Sequence, residues 1–187
     1  MPGEPAVKLA LAFACEADGD LEAAAARYGM VWMTDRSFVS GAFGLARTRL
    51  ARGEVDAALA VLDQVPVTSR YHREAQIALI IASVRRSAVD PSAGPPDTDL
   101  LARLGARLER LDLDQERRDR IATEVLEAAL AAGCRSGPRI LGAPPTEDGL
   151  RRRLEQLYRE LARMSGDPAE RRDLVDRANA VRPRTWL

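Results

Sequence analysis

The chain repeats itself at a fixed interval. Leu11, Ala12, Gly19 and Ala24 return 34 residues later as Leu45, Ala46, Gly53 and Ala58, and in each copy the glycine is followed by an acid, Asp20 and then Glu54. Few folds accommodate such a pattern. Small residues recurring at matched places on two successive helices mark where those helices cross closely. A glycine between them takes the left-handed conformation that stops the first helix, and the acid after it can cap the second. A unit of this kind cannot bury its apolar face alone. It stacks on its neighbour, and the stack grows as a solenoid.

The period, the Leu-Ala on the first helix, the Gly-acid turn and the Ala on the second together form the signature of a tetratricopeptide repeat (TPR). A third copy begins in phase at Leu79, but Ser87 stands where its turn glycine would be. The expected fold is therefore all-α, a TPR-like solenoid of antiparallel helix pairs with about nine helices. Its helices are expected from Pro5 to about Ala17, Leu21 to Met33, Ser37 (as a cap) to Arg52, Val55 to Gln64, and Tyr71 to Val84 with Thr68-Ser69 as its cap. Residues 5–87 carry the recognisable repeats. Residues 88–98 (A-V-D-P-S-A-G-P-P-D-T) are expected to form an exposed Pro-rich loop. Residues 99–187 read as degenerate helical pairs: one helix after Asp97/Thr98, one over Asp114 to Ala132, one carrying Leu150 to Leu161, and a last one opened by Asp167-Pro168-Ala169-Glu170. Leu174, Val175, Ala178 and Val181 should be the apolar face of that last helix. The whole, 1–187, is expected to be a single domain.

Composition narrows the function classes. The 28 basic and 28 acidic residues balance, and Lys8 is the only lysine among the cations. A balanced chain does not supply the positive field that nucleic-acid backbones require, so no nucleic-acid partner is expected. The Arg-rich region after Leu150 is interleaved with acids and reads as a solvated helix face. Cys15 lies on a helix expected to be buried. Cys15 and Cys134 form no zinc-type pair, imply no disulfide framework and fit a reducing cytosol. No membrane span and no signal peptide are expected, and the localisation read from this is cytoplasmic.

Catalytic constellations are missing from the pattern. The single histidine, His72, sits between arginines in a first helical turn and reads as solvated. G-A-F-G at Gly41 to Gly44 lies on a helix without a preceding strand, which makes it a packing feature and not a phosphate loop. L-D-L-D-Q-E at Leu111 to Glu116 is better explained by the preference of helix N-termini for acids than by a cation site. No kinase or nucleotide-binding motif is present. The chain is read as a non-enzyme with no catalytic, metal or cofactor-binding residues and no cofactor. Binding is another matter. In a TPR array the first helices of each repeat line a concave face, and the groove positions here are Leu9 and Phe13 in one repeat and Phe43 and Arg47 in the next. A clamp for a C-terminal carboxylate needs Lys and Asn at the first two, so that role is not expected. This apolar groove either takes a hydrophobic segment or is filled by the chain's own later helices, and the rarity of large exposed apolar patches favours the second. Trp32 and Trp186 are interface candidates only if exposed.

Four stretches in order carry a more specific likeness: V-W-M-T-D-R-S-F-V-S-G-A-F-G-L-A-R (Val31 to Arg47), V-L-D-Q-V-P-V-T-S-R-Y (Val61 to Tyr71), R-I-L-G-A-P-P-T (Arg139 to Thr146) and L-V-D-R-A-N-A-V-R-P (Leu174 to Pro183). With them the chain resembles, over nearly its whole length, the C-terminal TPR region of the actinobacterial serine/threonine protein kinase G (PknG) family. The resemblance implies a non-catalytic protein–protein interaction module, acting in scaffolding, self-association and regulation of a kinase. Its implied partners are a second copy, as a homodimer, and a PknG-type kinase domain. The family's metal module and kinase domain have no counterpart here, so no active-site residue carries over. The chain is either an excised domain or a stand-alone relative, and an abrupt start at the first repeat helix favours excision. The alternative reading is a stand-alone TPR adaptor that binds a hydrophobic peptide segment of another protein.

Overall fold

A computed structural model describes residues 4–183. Within it are ten α-helices and no strand, only an isolated bridge between Ile140 and Ala143. Two compact units are distinguished, 1–94 and 95–187. The division falls inside the Pro-rich stretch.

The first unit contains α1 (Pro5–Ala17), α2 (Leu21–Thr34), α3 (Val39–Ala51), α4 (Val55–Asp63), α5 (His72–Val84) and the single-turn α6 (Arg86–Val89). Each of the first five packs on the next, and α1 also touches α3. The repeat positions behave as the sequence requires. Gly19 and Gly53 have φ of 81° and 78°, the left-handed values that end α1 and α3. Asp20 caps α2 by accepting from the Ala23 amide at 3.0 Å. Glu54 makes no such cap and pairs instead with Arg52 at 2.8 Å. Ala12, Ala24 and Ala58 are fully buried and Ala46 nearly so.

At the crossing of α2 and α3, Gly41 and Gly44 make a close approach possible. A Cβ on Gly41 would lie 3.2 Å from the Trp32 amide nitrogen, and one on Gly44 only 2.4 Å from the Tyr28 ring. The ring of Tyr28 rests on the bare backbone of α3. Here G-A-F-G is a packing device, as its helical setting suggested. Trp32 is 1% exposed and belongs to the core; Trp186 lies outside the described residues.

Several local expectations need correction. Ser37 is not the cap of α3: Phe38 holds that position, and the Ser37 amide donates to Asp35. Thr68-Ser69 does not cap α5 directly, because a turn intervenes and Ser69 Oγ accepts from the Tyr71 amide. His72 is half-buried, its Nδ1 donating to the Val65 carbonyl at 2.9 Å. That carbonyl, left over where Val65-Pro66 ends the preceding helix, needs a donor. Cys15 is only half-buried. The expected loop 88–98 is partly ordered, since α6 runs to Val89 and a 3₁₀ turn covers Pro91–Ala93. Without a glycine at Ser87, the chain turns through a short helix.

The second unit contains α7 (Thr98–Glu109), α8 (Gln115–Ala131), α9 (Glu147–Met164) and α10 (Pro168–Val181), packed in sequence. Asp97, Asp114, Thr146 and Asp167 cap them in turn, each side chain accepting a first-turn amide. Leu101, Leu104, Leu108, Val125, Leu126, Leu150, Leu154, Leu157, Tyr158 and Leu161 form its core. The R-I-L-G stretch is a tight turn. Ile140 and Ala143 exchange both backbone hydrogen bonds, Leu141 takes a φ of 49°, and its side chain lies against Gly105 on α7, 3.1 Å from where a Cβ would sit. Val175 is 37% exposed, contrary to the apolar face assigned to it. Glu170 does not reach back to close a capping box. It accepts from Ser165 Oγ and pairs with Arg120 of α8 at 2.6 Å, tying α10 to α8.

The α2–α3 contact yields a paired prediction. Gly44→Ala should destabilise the first unit by about 1–3 kcal/mol through overpacking against Tyr28. Gly29→Ala, whose nearest neighbour is a Leu45 methyl at 3.8 Å, should be neutral or stabilising by about 0.5–1 kcal/mol through helix propensity. Denaturant midpoints of the two variants decide the matter. Equal effects would contradict the crossing described.

Candidate functional site: the first-helix face and its clamp

The sequence places Leu9 and Phe13 on α1 and Phe43 and Arg47 on α3. In each pair the residues are four apart and share a helix face, and α1 and α3 are in contact. Leu9 and Phe43 are half-buried. Phe13 is 63% exposed. Val7 and Leu11, at 62% and 46%, expose a second apolar strip on the other flank of the same helix. The buried line of α1, around Ala12, runs between the two strips.

Arg47 differs from the other three. Its Nε and Nη2 each donate to the Glu16 carboxylate of α1 at 2.5 Å, and the Tyr28 hydroxyl of α2 donates to the same carboxylate at 2.8 Å. One carboxylate therefore ties three consecutive helices together. The arginine bond first, and the phenol with it, hold the Glu16 carboxyl below the usual carboxylate range. Burial, with Glu16 beside it, pushes the Tyr28 phenol up to about 12. Arg47 is raised by the same pairing. Its charge is already committed within the fold, so the groove's remaining chemistry is that of Leu9, Phe13 and Phe43.

The same device recurs in the second unit. Glu127 of α8 accepts from the Tyr158 hydroxyl of α9 and from Arg177 Nη2 of α10, the latter at 2.8 Å. The Arg177 guanidinium lies 4.8 Å from the centre of the Tyr158 ring, as that of Arg47 lies 5.9 Å from the Tyr28 ring. Burial, and then Glu127, pushes the Tyr158 phenol far up. The reading of the sequence missed both triads. A signal was present: the tyrosine and arginine are separated identically, Tyr28 to Arg47 and Tyr158 to Arg177. The glutamates follow no common spacing, because the link between α8 and α9 is long.

Among the described residues no cluster of His, Cys, Asp or Glu is suited to a metal ion, and no helix is long and apolar enough to cross a membrane.

Comparison with known proteins agrees with this architecture. The family profile described as protein kinase G tetratricopeptide repeat matches residues 1–185. The chain is similar to the serine/threonine-protein kinase PknG of Mycolicibacterium smegmatis, 37% identical over 98% of this chain and 24% of the relative. It is similar also to that of Mycobacterium leprae, 37% identical over 100% of this chain and again 24% of the relative. It thus spans about a quarter of the length of these relatives.

The clamp makes two measurable statements. Tyr28→Phe removes a buried hydroxyl and its bond to Glu16, and should cost about 1 kcal/mol in urea unfolding. In alkaline absorbance titration the phenols of Tyr28 and Tyr158 should ionise late. A group whose folded pKa is raised stabilises the fold at lower pH and loses that contribution as pH rises through the folded value. Unfolding should therefore accompany the Tyr28 step near pH 12. Ionisation of Tyr28 and Tyr158 near the ordinary phenol value of about 10 in the folded chain would contradict the clamp.

Proposed function

From the chain's membership of the protein kinase G tetratricopeptide-repeat family, we propose that it is a non-catalytic protein–protein interaction module of the cytoplasm, serving scaffolding, self-association and regulation of a PknG-type serine/threonine kinase. The observation that carries this reading is the profile match over residues 1–185, together with relatives named as kinases of which the matched region is about a quarter. The fold supports it. The helices spend their polar groups on caps and clamps, and α1 keeps large apolar side chains outside the core. Such side chains favour contact with another protein surface. The partners proposed are a second copy of the chain and a PknG-type kinase domain.

A second reading is favoured by Phe13. Exposed at 63% beside half-buried Leu9 and Phe43, it suits an adaptor that takes a hydrophobic peptide segment in the groove.

Sedimentation velocity over a concentration series, first alone and then with the kinase domain of the M. smegmatis relative, tests the first reading. The expected result is a concentration-dependent shift or a faster boundary on mixing. A monomer indifferent to both would refute it. Phe13→Asp should leave stability within about 0.5 kcal/mol, since the site is a surface one. It should weaken kinase-domain association if that domain sits on α1. If the chain neither self-associates nor binds the kinase domain, and Phe13→Asp abolishes capture of an apolar peptide, the adaptor reading replaces the first.

A further inference from the structure

The second unit contains a carboxylate that its own fold does not satisfy. Asp119 of α8 is 2% exposed. Its Oδ1 accepts from Gln115 Nε2 at 2.7 Å, while its Oδ2 is buried and has no hydrogen-bond partner. Asp119 lines an open pocket of about 340 Å³ between α8 and α9, together with Gln115, Glu160, Arg163 and Met164. A second carboxylate thus stands across from the first, and a flexible thioether forms part of the wall. An unsatisfied buried carboxylate destabilises a fold, and one bordered by a pocket can be satisfied by a ligand that brings a positive donor.

The donor set selects the ligand. A guanidinium forks onto both oxygens of one carboxylate, but Gln115 already occupies Oδ1 of Asp119. What is left is Oδ2 there and the carboxylate of Glu160, whose Oε1 also accepts from Gln156 Nε2 at 2.9 Å, and these acceptors suit a compact ammonium with three divergent N–H donors. Met164 offers an adaptable apolar surface to an alkyl stem. Arg163 offers N–H donors to carbonyl groups beside such a stem. We propose that this α8–α9 pocket receives a primary ammonium group on an unbranched alkyl chain, such as a lysine side chain. The unit that holds the pocket has no lysine, since the chain's only one is Lys8, and the source proposed is a separate molecule: a polypeptide lysine or a free alkylamine.

Three probes and one variant test this by ¹H–¹⁵N NMR titration of the 187-residue chain: N-acetyl-lysine N-methylamide, n-butylamine, and the uncharged N-acetyl-norleucine N-methylamide. Asp119→Asn keeps the size of the side chain and an acceptor for Gln115. Both charged probes should move the signals of Gln115, Asp119 and Glu160 saturably in the millimolar range. The norleucine probe should not, and Asp119→Asn should weaken binding at least tenfold. Tighter binding of the lysine amide than of butylamine assigns the site to a polypeptide; equal binding assigns it to free alkylamines. Lack of saturation, or undiminished binding to Asp119→Asn, overturns the proposal. The variant should also melt at or above the parent's temperature at neutral pH. Burial first, and Glu160 with it, hold the Asp119 carboxyl above its ordinary pKa, against the pull of Gln115, Arg153 and Arg118. The parent therefore loses stability as pH rises through that value, and the difference should vanish in acid. A variant that melts lower at neutral pH would show Asp119 to be a structural anion and would overturn the proposal as well.

Discussion

In each unit one glutamate holds three consecutive helices in register. Glu16 gathers Tyr28 and Arg47, and Glu127 gathers Tyr158 and Arg177. Solenoid packing of small residues defines how closely helices approach, but it leaves them free to slide, because apolar contact is not directional. A carboxylate that accepts from a phenol on one helix and a guanidinium on the next fixes that freedom. The phenols are buried, 4% exposed for Tyr28 and 1% for Tyr158, so each hydroxyl requires its acceptor. The guanidinium heads remain half-exposed, where salt and water weaken their Coulombic share. The phenol–carboxylate bond is thus the more buried part of the restraint, and the arginine closes the ring.

The clamp depends on the close approach of α2 to α3. Tyr28 reaches Glu16 because its ring packs against Gly44, where any Cβ would intrude. In the second unit the Ile140–Ala143 turn packs on α7, where Leu141 fills the space above Gly105. The division of labour explains why α1 can expose Phe13, Leu11 and Val7. The unit's cohesion rests on its internal crossings and leaves the outer side chains of its first helix available to another surface.

Much of the fold was legible in the sequence because its determinants are local. The left-handed turns at Gly19 and Gly53, the cap at Asp20, the buried alanines and the boundaries of the long helices all follow from short-range chemistry at a regular spacing. The capping errors at Ser37 and Thr68-Ser69 arose because a serine near a helix start can bond within its own turn as readily as to the helix. Val175 was misassigned because α10 buries only Leu174 and Ala178; its apolar stripe is too short to fix a face from periodicity. The site was less legible. Arg47 looked like a groove residue because its position repeats that of Phe13. Its partner Glu16 lies 31 residues away, on a helix whose register to α3 no local pattern specifies. Asp119 drew no reading from the sequence, since burial of its carboxylate is a property of the assembled α8–α9 pair.

A double-mutant cycle at Glu16 and Tyr28 tests the central claim most directly. Glu16→Gln, Tyr28→Phe and the double variant would be compared by hydrogen exchange of the α2 amides, which reads the opening of the first unit by itself. If the shared carboxylate holds the helices, the two substitutions should be strongly non-additive, with a coupling of about 0.5–3 kcal/mol. Strict additivity would mean that the small-residue crossings hold the repeats alone and that the triad is incidental.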